Sequence, residues 1–489
     1  MNKNCLLLLL VSTFVVLNLN AQQRGEIIFS EKVTTLDRES ILEIYQNWTL
    51  PEALAPVSFS VEIHYLEYWT IDAKGMDLIP ASGLLTIPIS NGCAAPLLHY
   101  SHGTLQYDQE ISSFSSNFSQ HYFGVPFAAG DYVTSIPDYL GYGATPSGYP
   151  HPYIHAKSAA TTGVDMLRAS KDFLSDFGIQ WNEQLFLVGY SQGGHTTMAL
   201  QRELEAFHGD EFNITASSAG SGVYDLSGIM LDSMLLSNDF SEPFLLSFGI
   251  VSYQFIYGNI YEQLSDVFMA PYDTMIAQIF NREEPITHFR DSLPNRGADM
   301  LQPDFLAAVL SDESHPLNIA LRENDVYDWV PVGPLRLYYC EGDDEIPFGN
   351  SLFALEHMQA QGAEEVTAIS AGQNFDHGLC TYPTIIMTKF WFDELVDGCS
   401  VPVAEAPDSK EVFIFPNPFE THIFFDASGS LPYTFEQLNV YDAMGRRVLS
   451  KNINELTEIR LPGYGLPAGS YIFELNGKAG TVRKKMVKI

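Results

Sequence analysis

The feature that most constrains the fold is a serine between two glycines, Gly189-Tyr-Ser-Gln-Gly193, with a different periodicity on each side. The apolar run Leu185–Val188 precedes it and predicts a buried strand. Leu200, Leu204 and Phe207 follow it at helical spacing and predict one face of an amphipathic helix. The chain must therefore turn sharply at Ser191, with small residues on both sides to allow close packing. The plainer alternative for Ser191 is a helix N-cap.

The region 55–399 alternates short apolar runs with helical patterns, which predicts an α/β fold with a mostly parallel sheet flanked by helices. A segment of about a hundred residues, 224–330, interrupts this alternation and is rich in Leu, Phe, Ile, Met and Tyr. Because such a length is too great for a loop, we expect a helical cap over the carboxyl edge of the sheet. The predicted strands are Pro96–Tyr100, Val133–Ile136, Gln184–Val188 and Leu335–Tyr339.

Charge and the N-terminus indicate where the chain acts. A net charge of −35 repels phosphate backbones, so nucleic acid is not an expected partner. Lys3, the apolar run Cys5–Leu19 and Ala21 have the layout of a secretory signal peptide over residues 1–21. No later stretch reaches 18 apolar residues, so we expect no transmembrane segment. Four further cysteines, Cys93, Cys340, Cys380 and Cys399, allow three disulfide pairings in an oxidising compartment.

A serine hydroxyl needs a base to become nucleophilic, and after a strand-serine-helix turn the acid and the histidine follow in the chain. His377 lies in a Gly-flanked turn, Asn374–Gly378, between a strand-like run and the last apolar helix, and is the predicted base. His357 lies in a helical pattern that is typical of a surface histidine, and His422 lies in the C-terminal tail.

The acid is expected at the end of the strand Leu335–Tyr339, where Cys340-Glu-Gly-Asp-Asp-Glu-Ile-Pro347 offers several carboxylates. Its role is to accept the imidazole N–H and to stabilise the imidazolium. A Gly-Asp pair before Ile-Pro favours Asp343, with Asp344 as the open alternative.

An oxyanion hole needs two backbone N–H groups. One is expected from Gln192, which follows the nucleophile, and the other from Thr104, in the loop Tyr100-Ser-His-Gly-Thr104. His102 precedes the serine and is expected to shape this loop. His195 is expected to pack inside the helix. No metal and no cofactor are expected.

From about residue 400 the composition of the sequence and the pattern of its apolar residues change. Residues 400–410 contain two prolines and no periodicity, and predict a linker. The short β-branched and aromatic runs within 411–489 predict a small all-β sandwich. This tail resembles the C-terminal sorting domain of type IX secretion cargo, through Phe415-Pro-Asn-Pro-Phe419, Val440–Arg446, Leu466–Tyr471 and the basic end Arg483–Ile489. The resemblance implies recognition by the type IX machinery and a secreted or surface-attached protein. A carbohydrate-binding or packing module is the alternative.

Residues 55–399, within a predicted catalytic domain of 25–399, resemble an α/β-hydrolase of the secretory lipase and esterase kind. The resemblance is carried by Tyr100-Ser-His-Gly-Thr104, Ile136–Gly143, His151-Pro-Tyr153, the Gly-Tyr-Ser-Gln-Gly turn and Tyr339–Asp343 with Asp376-His377. It implies hydrolysis of small-molecule or lipid esters through an acyl-enzyme, and it supports Asp343 over Asp344. It also favours a Cys340–Cys380 bridge, which would tie the acid loop to the histidine loop.

Two other kinds of protein are alternatives. A serine peptidase of the prolyl-oligopeptidase or aminopeptidase kind would keep the same motifs, because acyl transfer to water is common to esters and amides. A catalytically inactive surface-binding module would be expected to lack a member of the triad, and the sequence has all three.

Overall fold

The computed structural model describes residues 22–48, 50, 52–90, 94–105, 123–237, 240–280 and 292–397, and seven strands with adjacent residues between 413 and 488. The chain divides into two compact units, Met1–Thr49 with Ala55–Gly398, and Leu50–Leu54 with Cys399–Ile489. The predicted signal peptide, 1–21, the predicted linker, 400–410, and two of the cysteines, Cys93 and Cys399, lie outside the described residues.

The first unit is built on one sheet of nine strands. These strands are β1 (Ile27–Leu36), β2 (Val61–Ile71), β3 (Leu78–Pro88), β4 (Ala95–Ser101), β5 (Val133–Pro137), β6 (Trp181–Tyr190), β7 (Ile214–Gly220), β8 (Leu335–Cys340) and β9 (Val366–Gly372). Their order across the sheet is β1-β2-β3-β5-β4-β6-β7-β8-β9. Pairing is antiparallel from β1 to β5 and parallel from β5 to β9. The predicted mostly parallel sheet and its four predicted strands are confirmed.

Strand β7 was not predicted, because its sequence is not strand-like. Ile214-Thr-Ala-Ser-Ser-Ala-Gly220 contains mostly small residues, yet Ser217 and Ser218 are completely buried. A β-carbon at Gly220 would lie 2.5 Å from Cγ2 of Thr384, and Ser218 Oγ is hydrogen-bonded to Thr388 Oγ1. Small side chains here therefore let the last helix approach the sheet closely.

Helices cover the sheet and fill its connections. They are α1 (Arg38–Asn47), α2 (Val125–Ala128), α3 (Ala156–Asp176), α4 (Gln192–Phe207), α5 (Leu231–Leu236), α6 (Phe244–Tyr257), α7 (Leu264–Val267), α8 (Tyr272–Phe280), α9 (Pro303–Ser311), α10 (Pro316–Glu323), α11 (Gly349–Ala360) and α12 (His377–Leu395), with a π-turn at Leu226–Met230 and a 3-10 turn at Gly297–Met300. A further 3-10 turn, Glu52–Leu54, belongs to the second unit.

Helix α4 differs from its prediction at one end. Leu200 and Leu204 are fully buried against the sheet, as the spacing predicts. Phe207, the last residue of the helix, is instead 71% exposed. The chain turns back after Phe207, and Phe212 enters the core in its place.

Helices α5–α10 all lie between β7 and β8, so the insertion predicted at 224–330 is helical. Its buried residues form a separate apolar cluster, in which Leu246, Ile250 and Met300 pack with Tyr153 from the loop before α3. The cap therefore has its own hydrophobic cluster, which also includes Val223 after β7 and Ile346 after β8.

The second unit contains two antiparallel sheets. One pairs β10 (Phe413–Phe415), β11 (His422–Asp426) and β14 (Glu458–Arg460), and the other orders β13 (Arg447–Asn452), β12 (Phe435–Tyr441), β15 (Gly469–Gly477) and β16 (Gly480–Lys488). Alternate residues of the central strands, Leu438 with Val440 and Phe473 with Leu475, are fully buried. The intervening Asn439 and Glu474 are buried as well and are hydrogen-bonded to each other. The predicted all-β tail is confirmed.

Candidate active site

Ser191 lies at the tip of the turn between β6 and α4. Its φ of 60° and ψ of −121° are unusual for a residue with a side chain, and they project the hydroxyl away from the strand. The two glycines make the turn possible, because a β-carbon at Gly189 would overlap the carbonyl of Gly193, and one at Gly193 would overlap the carbonyl of Ser101. The sequence pattern therefore reflects contact between backbones on both sides of the serine.

Three side chains predicted from distant parts of the sequence meet here. Nε2 of His377 lies 2.8 Å from Oγ of Ser191. Nδ1 of the same ring lies 3.0 and 2.9 Å from the two carboxylate oxygens of Asp343. Because a carboxylate only accepts, Nδ1 carries the proton and Nε2 faces the serine hydroxyl with its lone pair.

Both acid candidates contact His377, but through different atoms. Asp343 binds the ring, and its Oδ1 also accepts the backbone N–H groups of Glu345 and Ile346, at 3.1 and 2.8 Å. Asp344 instead accepts the backbone N–H of His377 at 3.1 Å. Asp343 thus fixes the orientation of the imidazole, whereas Asp344 holds the start of α12.

The site is buried and negatively charged. The side chains of Asp343 and His377 are only 1% and 8% exposed, and Oε2 of Glu345 lies 3.7 Å from Nε2 of His377. Burial lowers the pKa of His377, but the hydrogen bond and charge of Asp343, with the charges of Glu345 and Asp344, outweigh burial and raise the pKa above the ordinary value of 6.5. The ring is therefore a stronger base than a free histidine.

Two further contacts fix the loops that carry these groups. Cys340, at the end of β8, forms a disulfide with Cys380 in the first turn of α12, with Cα atoms 5.9 Å apart. The pairing favoured by the resemblance is confirmed. The hydroxyl of Tyr190 donates to the carbonyl of His377 at 2.6 Å, which the sequence did not indicate.

We expect loss of the disulfide to lower the stability of the fold. The bridge closes a loop of 40 residues, so replacing both Cys340 and Cys380 with Ala should lower the free energy of unfolding by about 2–4 kcal/mol. Denaturant unfolding with and without dithiothreitol measures this. Reductant should destabilise the wild type more than the double variant, which still carries Cys93 and Cys399; equal stability of oxidised wild type and variant would contradict the prediction.

The residues predicted to supply the oxyanion donors lie at the same edge of the sheet. Gln192 is the first residue of α4, where a backbone N–H has no acceptor within the helix. Thr104 follows β4, whose Ser101 lies in register with Gly189 on the neighbouring strand β6. The two segments are in contact, since Gly193 meets the backbone of Ser101 and His102.

The remaining histidines occupy other positions. His357 binds Asp328 at the surface, and His422 belongs to the second unit. His102 is buried within the loop that carries Thr104, with Nδ1 donating to the carbonyl of Gly103 at 2.8 Å. Burial lowers the pKa of His195 to about 4, and its Nε2 donates to the carbonyl of Asn324.

An apolar cavity lies between the cap helices and the loops at the carboxyl edge of the sheet. None of the three meeting side chains lines it, but two of its lining residues touch the site. The hydroxyl of Tyr153 is hydrogen-bonded to Oγ1 of Thr104, and the N–H of Ile346 donates to Asp343. Cap residues such as Met230, Leu246 and Ile250 form much of its remaining wall.

In the described part of the chain, no group of three or more His, Cys, Asp or Glu side chains is arranged to hold a metal ion. Among the same residues, no helix combines the length and hydropathy needed to cross a membrane.

Comparison of the fold with solved structures identifies several α/β-hydrolases. The rice cell wall degrading esterase LipA from Xanthomonas oryzae superposes with a TM-score of 0.69 and 28% identity, over 76% of this chain and 100% of LipA. A putative hydrolase from Legionella pneumophila gives a TM-score of 0.69 at 23% identity, over 79% and 100% of the two chains. Candida antarctica lipase A in its closed state gives 0.56 at 15% identity, over 77% and 84%. The first unit therefore has the predicted α/β-hydrolase fold.

At the sequence level, residues 413–489 match the family described as the secretion system C-terminal sorting domain. This domain marks the chain as cargo for export to the cell surface or the medium, and it implies the type IX secretion machinery as a partner. None of the curated proteins matches the sequence.

Proposed function

We propose that this chain is an exported serine hydrolase that cleaves carboxylic esters, with Ser191 as nucleophile, His377 as general base and Asp343 as the acid that orients the base. The observation that carries the proposal is an unbroken hydrogen-bonded chain from hydroxyl to imidazole to carboxylate, with distances of 2.8 and 2.9 Å. Ser191 stands at the tip of a strained strand-to-helix turn and is only partly buried.

In the first half of the reaction, Oγ of Ser191 attacks the ester carbonyl as Nε2 of His377 takes the hydroxyl proton. The carbonyl oxygen becomes an oxyanion, which the backbone N–H groups of Gln192 and Thr104 stabilise. The imidazolium that forms is stabilised by Asp343, which is buried and already bonded to Nδ1. When the tetrahedral intermediate collapses, His377 returns the proton to the leaving alcohol, and the acyl group remains on Ser191.

In the second half, water takes the place of the alcohol. His377 removes a proton from this water, which attacks the acyl carbonyl, and the same two N–H groups hold the second oxyanion. Collapse releases the carboxylic acid and returns the proton to Ser191. His377 thus takes up and returns one proton in each half of the reaction, and the enzyme is regenerated.

Two observations support an ester with an apolar acyl group as the substrate. The cavity beside the site is lined largely by aliphatic and aromatic side chains, which is typical of pockets that bind apolar groups. LipA, which shares 28% identity with this chain, is a rice cell wall degrading esterase, and this likeness supports an ester as the class of substrate.

The class of substrate is tested with purified protein on p-nitrophenyl acetate, butyrate and palmitate beside a panel of peptide anilides. We expect turnover of the esters, with kcat/KM rising from acetate to butyrate as the acyl chain enters the apolar cavity. Turnover of anilides above the esters would favour a peptidase, and no turnover of either would favour a binding module.

The pH dependence of kcat/KM should report the titration of His377. Only the neutral ring accepts the serine proton, so activity should fall as the pH drops through the pKa of His377, with a midpoint above 6.5. Glu345→Gln removes one of the charges that raise this pKa and should move the midpoint to lower pH. A wild-type midpoint below 6.5, or an identical midpoint in the variant, would contradict the assignment.

A further inference from the structure

One short segment contacts both residues that are proposed to supply the oxyanion donors. It is His151-Pro-Tyr153, which lies between β5 and α3. The ring of His151 is hydrogen-bonded to the side chain of Gln192 at 2.8 Å, and the hydroxyl of Tyr153 to that of Thr104 at 3.1 Å. We propose that His151 and Tyr153 are positioning residues that hold the two sides of the oxyanion hole at a fixed separation, an inference that rests on the proposed function.

The geometry around His151 defines its role. Nδ1 lies 2.7 Å from the carbonyl oxygen of Leu140, which only accepts, so Nδ1 carries the proton. The lone pair of Nε2 then accepts a hydrogen bond from Nε2 of Gln192. The ring is buried, with its centroid 4.5 Å from that of Tyr142. A fixed ring thus fixes the side chain of Gln192, and with it the first residue of α4.

Tyr153 acts on the opposite side. Its hydroxyl is bonded to Oγ1 of Thr104, the residue whose N–H is the second proposed donor. Its ring stacks on Phe248 of the cap helix α6, with centroids 4.4 Å apart and planes 5° from parallel. Thr104 follows β4 in a loop without regular structure, so this contact from Tyr153 restricts the loop beyond what the sheet provides.

The cap helix α6 is hydrogen-bonded to the segment that carries His151 and Tyr153. Oγ of Ser252 donates to the carbonyl of His151 at 2.9 Å and accepts from the N–H of Tyr153 at 3.2 Å. The hydroxyl of Tyr253 donates to the carbonyl of Ile154 at 2.9 Å. Both sides of the oxyanion hole are therefore connected to one cap helix, whose residues Ile250 and Tyr253 also line the apolar cavity.

This arrangement makes a kinetic distinction. The two donors act on an oxyanion that is present in the transition state and absent in the bound ester, so misplacing them lowers kcat and leaves KM nearly unchanged. A residue that only maintained the fold would lower thermal stability instead. Loss of a whole donor costs about 10²–10³ in kcat, and loss of its support should cost less, about tenfold.

The test uses isosteric variants in the full chain. Tyr153→Phe removes only the hydroxyl, and Thr104→Val removes its partner; we expect each to lower kcat about tenfold, and the double variant to lower it no further than the worse single variant. His151→Phe removes the acceptor for Gln192 and should lower kcat similarly. His151→Gln places an oxygen near the position of Nε2 and should recover most of the loss.

Binding of a trifluoromethyl ketone, which forms an oxyanion on the serine, gives a second readout. Its affinity should fall in parallel with kcat in Tyr153→Phe and His151→Phe, while the melting temperature changes little. Ser252→Ala, on the cap side, should give a smaller loss and serves if a ring variant does not fold. Wild-type kcat in both ring variants, or losses that multiply in the double variant, would overturn the inference. Failure of the proposed function is separate, since it would appear as an active Ser191→Ala.

Discussion

Ser191→Ala should lose nearly all ester hydrolysis, while its folded structure is retained. The alanine has no hydroxyl to attack the carbonyl, so no acyl-enzyme forms, and a fall in kcat of about 10⁴ or more is expected. Initial rates on p-nitrophenyl butyrate measure the fall. Substrate binding should persist, because the apolar cavity is lined by residues other than Ser191.

The matched control is Ser311→Ala, which replaces an exposed serine in the cap helix α9 whose hydroxyl bonds only within its own helix. It should keep the wild-type rate. Both variants should unfold at the wild-type temperature. Equal activity of Ser191→Ala and wild type would remove the serine-hydrolase assignment and leave a binding role as the better interpretation.

Asp343→Asn should produce the second largest loss, about 10³–10⁴ in kcat. The asparagine has similar size, but its amide cannot stabilise the imidazolium, and it can turn an N–H group towards Nδ1 and select the wrong tautomer. Thermal unfolding and KM should change little, which distinguishes this loss from general disruption of the site.

Asp344→Asn is the control for Asp343→Asn, because the two residues are adjacent and equal in charge. The substituted side chain keeps an amide oxygen that can accept the backbone N–H of His377, so we expect less than a tenfold loss. An Asp344 variant that loses as much activity as the Asp343 variant would contradict the assignment of the acid.

The fold and the meeting of the three side chains follow from short-range patterns. The strand, turn and helix around Ser191 are each encoded in fewer than twenty residues, and parallel strands bring their carboxyl ends to one edge. For the same reason, the acid was expected directly after β8 and the histidine directly after β9. The sequence is less informative about which residue of a loop faces the site. Asp343 and Asp344 are adjacent, and only the structure shows that Asp343 binds the ring of His377 and Asp344 its backbone N–H.

Other features depended on long-range packing, which no local pattern encodes. The contact of His151 with Gln192 joins positions 41 residues apart, and the stacking of Tyr153 on Phe248 joins the sheet unit to the cap. Strand β7 was not predicted because it packs closely against α12, and this close packing requires small residues where strands usually have β-branched ones. Glu345 was visible as one of several carboxylates, but its distance from His377 was not.

The central claim is that the hydroxyl of Ser191 becomes covalently acylated, and active-site labelling tests it most directly. The wild-type protein is treated with a p-nitrophenyl phosphonate ester, and the modified peptide is identified by mass spectrometry while residual activity is followed. We predict one adduct per molecule, on Ser191, with activity lost in proportion to labelling. The Asp343→Asn variant should be labelled much more slowly than the wild type. Loss of activity with the adduct on another residue, or full activity with Ser191 modified, would contradict the account.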